Sequence, residues 1–373
     1  MKRIGIISLY CNNANYGALL QAYALCRVIT DLGYFCKQIS YDRVADNMSF
    51  IPKVMVKAEH LIKPILLGEW YQHLYKGIKL LKQFELSIPH TKEVDSITIV
   101  DLNKDFDAFI CGSDQVWNPL FGWNDNHFLT FVDHGKKKIA YAASIARDQL
   151  TASEAEYVLN MIKDFYVVSL RERRSIESLR EYDYSFHADV MPDPTLLLTQ
   201  KEWNEVASNR IVSESYIFAF FLGNNERQKD AAIKYARNKG KRIVFIYSLL
   251  HENKKWEVAH ESDIIPNISV NAFLSLIKYA NLVITDSFHG AVFSSIFNVP
   301  FIVLNRFDDS DVESMNSRIV TLMDMLGINR NVKDIEYEKD YSFTVEEIKL
   351  INAAITYERK RGMRFLSEVL AVV

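Results

Sequence analysis

Three hundred and seventy-three residues exceed what one hydrophobic core organises and, at roughly 150 residues per domain, predict two domains. A formal charge of −3, from 44 Lys and Arg against 47 Asp and Glu, with 49% apolar and 24% charged residues, is an ordinary globular composition that excludes disorder, collagen and coiled coil. No basic excess marks any long block, which argues against a nucleic-acid partner, whereas a small anion needs only a few well-placed cations.

The chain begins with Lys2 and Arg3 ahead of a short apolar run that ends at Asn12, Asn13 and Asn15, too short for an export signal. Cys11, Cys26, Cys36 and Cys111 show neither CxxC spacing nor a nearby histidine pair, so no zinc or redox site is expected, and a reducing cytoplasm is. No stretch reaches the ~20 apolar residues of a membrane span. The expected location is therefore cytoplasmic, with at most peripheral contact at the inner membrane face.

Residues 3–9 read as a buried strand, 12–17 as a small-polar loop and 16–32 as a helix, with a second strand over 35–40. This is the βαβ opening of a parallel sheet, whose ligand loops lie at the carboxyl ends of strands. Residues 51–86 form a helical insertion with Lys53, Lys57, Lys63, Lys76, Lys79 and Lys82. Its apolar positions Val54, Ile62, Leu66 and Leu67 are expected to pack on the first domain, and its lysines could face anionic lipid. Short strands follow over 107–111, 138–142 and 166–170.

The prolines of Met191-Pro192-Asp193-Pro194-Thr195 break the pattern and predict the domain boundary there. A second alternation follows: strands over 216–222, 242–247, 282–285 and 301–304, and helices over 226–239, 270–280 and 287–298. Thr344 and Glu347 have capping-box spacing for a last helix running to about residue 369. The architecture expected is α/β, with two Rossmann-like domains facing a cleft: an N-terminal domain over 1–195 carrying the insertion, a C-terminal one over 196–340, and a C-terminal helix over 341–373.

Four strand-end loops carry candidate chemistry. Asn15, Tyr16 and Gly17 open the first helix, where backbone amides and the dipole favour an anion or a sugar hydroxyl, although asparagines there also serve as caps. Ser113, Asp114, Gln115 and Trp117 follow the strand at 107–111 and offer a base, amide donors and a stacking face for a polyol; the plain alternative is a turn cap and a core indole. Asp286, Ser287, His289 and Gly290 place an imidazole at a helix start in the second half, with a glycine that permits close approach of the backbone. Arg171 is the strand-end member of an arginine cluster and suits a carboxylate or phosphate.

Together these stretches resemble the polysaccharide pyruvyl transferase family. The resemblance rests on Asn15-Tyr16-Gly17, Gln21-Ala22-Tyr23, the 112–118 segment, Arg171-Glu172 with Ser175, Pro192-Asp193-Pro194 and the 285–290 segment, in family order. It implies a fold similar to the two-domain GT-B glycosyltransferases. It also implies transfer of the enolpyruvyl unit of phosphoenolpyruvate, a co-substrate, onto two hydroxyls of one sugar to give a pyruvate ketal, with neither metal nor cofactor. Acceptors in such a family are exopolysaccharide or capsule precursors, glycans or lipid-linked saccharides. The family's donor contacts, a histidine of an Arg-x-His motif and an arginine of an Arg-Asp/Glu-x-x-Ser motif, fall on His289 and Arg171. Here the arginine of Arg-x-His is Ser287, and Arg306 or Arg318 would have to supply that cation from another loop. His289 is the expected acid or phosphate ligand, Asp114 the expected base and Asp286 the second choice. The competing readings are a nucleotide-sugar-dependent GT-B glycosyltransferase and a non-catalytic carbohydrate-binding protein. In the pyruvyl-transfer reading, Arg171 and His289 must converge from the two halves on one donor.

Overall fold

The computed structural model describes residues 1–41, 68–249, 254–307 and 314–373. The first half contains β1 (Arg3–Ile7), α1 (Tyr16–Asp31), β2 (Phe35–Gln38), α2 (Glu69–Ser87), β3 (Ala108–Cys111), β4 (Lys137–Ala143), α3 (Ala152–Ile162), β5 (Val167–Leu170), α4 (Arg173–Arg180) and β6 (Asp189–Val190). The second half contains α5 (Gln200–Val206), β7 (Tyr216–Phe220), α6 (Glu226–Asn238), β8 (Arg242–Ile246), α7 (Lys254–Ala259), β9 (Ile264–Ile265), α8 (Val270–Lys278), β10 (Leu282–Thr285), α9 (Phe288–Ile296), β11 (Phe301–Leu304), α10 (Ser317–Leu326) and β12 (Asn331–Val332), and the chain ends in α11 (Val345–Leu370).

Two six-stranded sheets result, ordered β2-β1-β3-β4-β5-β6 and β12-β11-β10-β7-β8-β9. Every strand pair in both is parallel. Parallel sheets are covered on both faces, which explains why β3, β7, β10 and β11 are apolar runs with every residue buried. Strand order reverses between β1 and β3 in one sheet and between β7 and β10 in the other. Such reversals splay the following loops apart and open a ligand crevice at the strand ends.

The facing sides of the halves share one core. A single apolar cluster joins Leu19, Leu20 and Ala24 of α1 to Phe218, Phe273, Phe293 and Leu366 of the second half. Helix α1 is accordingly buried nearly all round, at twelve of its sixteen residues. Helix α11 returns across the junction: a Cβ on Gly362 would lie 2.6 Å from Leu197 and 2.7 Å from the Tyr141 hydroxyl, and Phe365 packs on Tyr141 at 5.9 Å. The last helix therefore clamps the segment that joins the two sheets.

Residues 51–67 of the expected insertion, with Lys53, Lys57, Lys63, Val54, Ile62, Leu66 and Leu67, lie outside the described residues. The part described, α2, touches both halves. Its Trp70 indole donates to Glu257 at 2.7 Å and Gly77 faces Leu249. At its other end Phe84 meets Tyr23 at 5.7 Å and the Lys82 ammonium donates to Asn12 at 2.6 Å. Among the described residues, no helix is long and apolar enough to cross a membrane.

Candidate active site

The site is built around the segment that the sequence marks as a break. Prolines on both sides of Asp193 fix the backbone, and Pro194 opens a 3-10 turn that Asp193 caps. One carboxylate oxygen, Oδ1, accepts from the Thr195 amide at 3.0 Å and the Thr195 hydroxyl at 2.7 Å. That pins the other oxygen. Oδ2 accepts from Arg171 Nη1 at 2.8 Å and Ser113 Oγ at 3.2 Å, and it lies 3.4 Å from His289 Nε2, at ion-pair distance but without hydrogen-bond alignment. Asp193 thus gathers a first-half arginine and a second-half imidazole at one atom. Burial by itself would raise its pKa. His289, Arg171 and the Thr195 amide overcome that and hold the carboxyl far below the usual range.

Arg171 projects from the end of β5 into the junction and is 3% exposed. Burial works against its charge, but Asp193, Asp114 and Glu172 reverse the effect and raise its pKa above the ordinary arginine value. Its Nη2 lies 3.8 Å from Asp114 and its Nε 3.9 Å from Glu172, and neither nitrogen has a hydrogen-bond partner. The Phe288 ring covers the guanidinium at 4.7 Å, a cation–π contact. Glu172 is completely buried. Its Oε1 accepts from the Ser144 hydroxyl, the Ile145 and Ala146 amides and the Ser175 hydroxyl at 2.8–3.1 Å, fixing the loop after β4. A register shift between Ala140 and Ala143, held by the Ser169 hydroxyl on the Ala142 amide at 2.9 Å, turns that loop toward the junction.

Asp114 has φ +76°, a left-handed conformation that is uncommon outside glycine. Among the described residues its carboxylate makes no side-chain hydrogen bond, only the 3.8 Å approach to Arg171. Asp286, the second candidate base, is fully engaged instead. It accepts from the Leu222 and Gly223 amides at 2.6 and 2.7 Å and from Arg306 Nε at 3.1 Å. Those bonds tie the loops after β7, β10 and β11 together and occupy three of the carboxylate's roughly four acceptor sites. They equally occupy Arg306, whose Nη2 also donates to the Asp286 carbonyl at 3.2 Å.

The remaining residues sort by what they touch. Trp117 is fully buried, stacked on Phe128 at 5.1 Å with its indole N–H on the His127 carbonyl; it is core and offers a sugar no face. Gln115 accepts from Asn118 Nδ2 at 2.7 Å. Ser113 belongs to the Asp193 network. Asn15 caps α1 through the Gly17 amide at 2.9 Å. Tyr16 donates to the Ile268 carbonyl at 3.0 Å and stacks on Phe273 at 4.5 Å, so it joins the halves instead of facing ligand. Ser287 caps α9 by accepting from the Gly290 amide at 3.3 Å. Gly290 leaves room for Thr285, whose Oγ1 would lie 2.7 Å from a Cβ there; the close approach is to a side chain of the protein. A Cβ on Gly17 would fall inside the His289 ring, against Nδ1. Gly17 is the residue that admits the imidazole to the start of α1.

Two further residues belong to the junction. Asp193 was legible as a boundary and as part of the Pro192-Asp193-Pro194 stretch, but not as the carboxylate on which Arg171 and His289 meet. Arg318, in the first turn of α10, is 9% exposed and has no carboxylate within ion-pair distance among the described residues. Two concavities lie among the described residues away from Asp193. One of about 650 Å³ is lined by Asn225, Gln228, Arg306 and Lys333, and one of about 470 Å³ sits between α4, α10 and α11.

Two parallel sheets joined by a buried junction, with a returning C-terminal helix, define an α/β protein of the two-domain GT-B class. A UDP-N-acetylglucosamine 2-epimerase from Listeria monocytogenes is similar at a TM-score of 0.51 and 10% identity, over 98% of this chain and 90% of that one. A UDP-glucosyltransferase from Polygonum tinctorium is similar at 0.50 and 10% identity, over 99% and 97%. These likenesses concern the fold alone. No curated protein matches the sequence. The sequence pattern of the polysaccharide pyruvyl transferases matches residues 15–309, and the chain belongs to that family.

Proposed function

We propose that the chain transfers the pyruvyl group of phosphoenolpyruvate onto two hydroxyls of one sugar in a glycan or glycan precursor, forming a cyclic ketal and releasing inorganic phosphate. The observation that carries this reading is the meeting of Arg171 and His289 on Asp193 Oδ2. Protonation of the donor at C3 makes C2 electrophilic. One sugar hydroxyl then forms a C–O bond to C2, and the second displaces phosphate as the C2–O bond to the leaving group breaks. Of the two hydroxyl protons, one balances the proton placed on C3 and the other leaves with phosphate.

In this scheme His289 is the proton donor, because its Nε2 stands 3.4 Å from Asp193 Oδ2 at the junction. Asp114, whose carboxylate makes no side-chain hydrogen bond among the described residues, takes the hydroxyl proton. Arg171 supplies positive charge beside both, with two N–H groups lacking partners. The test is incubation with phosphoenolpyruvate and candidate sugars, following phosphate release that depends on the acceptor. His289→Ala should lower that rate about a hundredfold while the far-UV circular dichroism stays unchanged. Acceptor-independent rates, or release of nucleoside diphosphate from sugar nucleotides instead, would overturn the reading.

A further inference from the structure

We propose that the cavity of about 470 Å³ between α4, α10 and α11 is a binding site for an uncharged saccharide chain. That this chain is the acceptor glycan, held at units away from the reacting sugar, rests on the function proposed above; the binding itself is argued from the walls of the cavity.

The cavity lies across the seam: α4 and the edge strand β6 of the first half face α10 and α11 of the second. Both first-half walls are anchored on the site, since α4 starts directly after Arg171 and Glu172, and β6 ends at Val190, just before the Pro192-Asp193-Pro194 stretch. Seams between domains are where small-ligand sites of this volume form. Part of the wall is braced. Arg361 donates from Nε to Glu358 at 3.0 Å and from Nη1 to the Val190 carbonyl, which ties α11 to β6, and Arg180 donates from Nε to the Phe186 carbonyl at 3.0 Å. The rest is open. The Arg173 guanidinium, the Asp324 carboxylate and the Tyr357 hydroxyl line the cavity and make no hydrogen bond or ion pair with other described residues.

The chemistry of these walls selects the ligand. Three arginines, Arg173, Arg180 and Arg361, are matched by three carboxylates, Glu177, Asp324 and Glu358, so the cavity has no net charge with which to prefer an ion of either sign. It presents strong donors and strong acceptors side by side instead. A sugar hydroxyl both donates and accepts, so a row of hydroxyls meets such a mixed wall without bringing in a charge. The apolar remainder, Ile176, Val190 and Met325 with the 65% exposed Tyr357 ring, suits the C–H faces of a pyranose, because tyrosine combines a flat apolar surface with a polar tip. An anion would meet three carboxylates here, and a wholly apolar ligand would cover charged groups without satisfying them.

The experiment uses the full chain, an array of neutral bacterial oligosaccharides of increasing length as probes, and the variants Tyr357→Ala and Arg173→Ala. Tyr184→Ala is the control, at a side chain 93% exposed and outside the cavity. Wild type should bind members of the array, and titration of those should show affinity falling about tenfold or more in Tyr357→Ala and in Arg173→Ala and holding in Tyr184→Ala. All three positions are exposed, so the melting temperatures should stay together. Because the cavity is charge-balanced, the affinity should survive about 0.5 M sodium chloride. Wild type that binds no member, binding left unchanged by either cavity substitution, or binding abolished by salt would each overturn the site, the last by marking the ligand as ionic. Under turnover, Tyr357→Ala should raise the KM for the acceptor and leave that for phosphoenolpyruvate alone. Tyr357-dependent saccharide binding in a chain that releases no phosphate from phosphoenolpyruvate keeps the site and removes the function. Acceptor-dependent release with saccharide binding unmoved by both substitutions does the reverse.

Discussion

The strand ends of the two sheets face the same junction but are finished differently. In the first half the end of β4 and the loops after β3 and β4 hold Ala142, Asp114 and Ala146 at φ +48°, +76° and +54°, and Arg171 Nε and Nη2 and Glu172 Oε2 are buried there without hydrogen bonds. In the second half Asp286 accepts from three donors, and Thr285 and Ser287 are bonded to backbone. Strained backbone and unpaired polar groups are tolerated where they are used. Of the two strand-end aspartates, Asp114 of the first half is thus left open and Asp286 of the second half is engaged, while the second half brings His289 to Asp193 from the start of α9.

Breaking the link between the two should have the largest effect. Asp193→Ala leaves Arg171 buried without its strongest partner and lets His289 go, and should cost about 3–5 kcal/mol in urea unfolding together with essentially all turnover. The pH dependence follows from the sign of the shift. The folded-state carboxyl of Asp193 is held below its unfolded value of ~3.9, so its contribution is complete above that value and fades as pH falls through the folded one. The stability difference between wild type and variant should not fall between pH 7 and pH 5 and should shrink only in more acidic solution. A gap that closes between pH 7 and pH 5 would mean that another group carries the effect.

A pair of isosteric changes sharpens the contrast between used and finished groups. Asp114→Asn removes a carboxylate without hydrogen bonds and should lower turnover about a hundredfold, with the unfolding midpoint nearly unmoved. Asp286→Asn disturbs a carboxylate that accepts from three donors and should cost about 1–3 kcal/mol of stability, with the smaller loss of rate. The opposite ranking in kcat and urea midpoint would reverse the roles assigned to the two residues.

Much of this frame was legible in the sequence, because apolar runs and turn residues report period directly. The strands at β1, β3, β7, β10 and β11 and the helices α1, α6, α8, α9 and α11 lie within a few residues of expectation. The two-residue edge strands β6, β9 and β12 carry too little pattern to be read. Helix α3 went unread despite the capping box of Thr151 and Glu154. Site residues were legible by type and place but not by partner. A sequence shows that Trp117 follows a strand, not that Phe128 covers it, and it shows two aspartates at strand ends, not which one meets three donors. Asp193 looked like punctuation because its function lies in contacts 80 and 22 residues back, to Ser113 and Arg171.

The smallest expected effect tests the contact by which His289 of the second half meets α1 of the first. A methyl group on Gly17 would overlap His289 at Nδ1, and both neighbours belong to buried helices, so the imidazole must shift instead of the backbone. Overpacking of this kind costs about 1–3 kcal/mol, and a displaced proton donor should lower turnover by about tenfold. Stability alone cannot assign the cause, since any crowded glycine would show it. The double variant can. If Gly17→Ala acts by moving the imidazole, it should have almost no further effect on rate once His289 is already alanine, where the added methyl has room. Rate losses that simply multiply in the double variant would mean that α1 reaches the chemistry by a route other than His289.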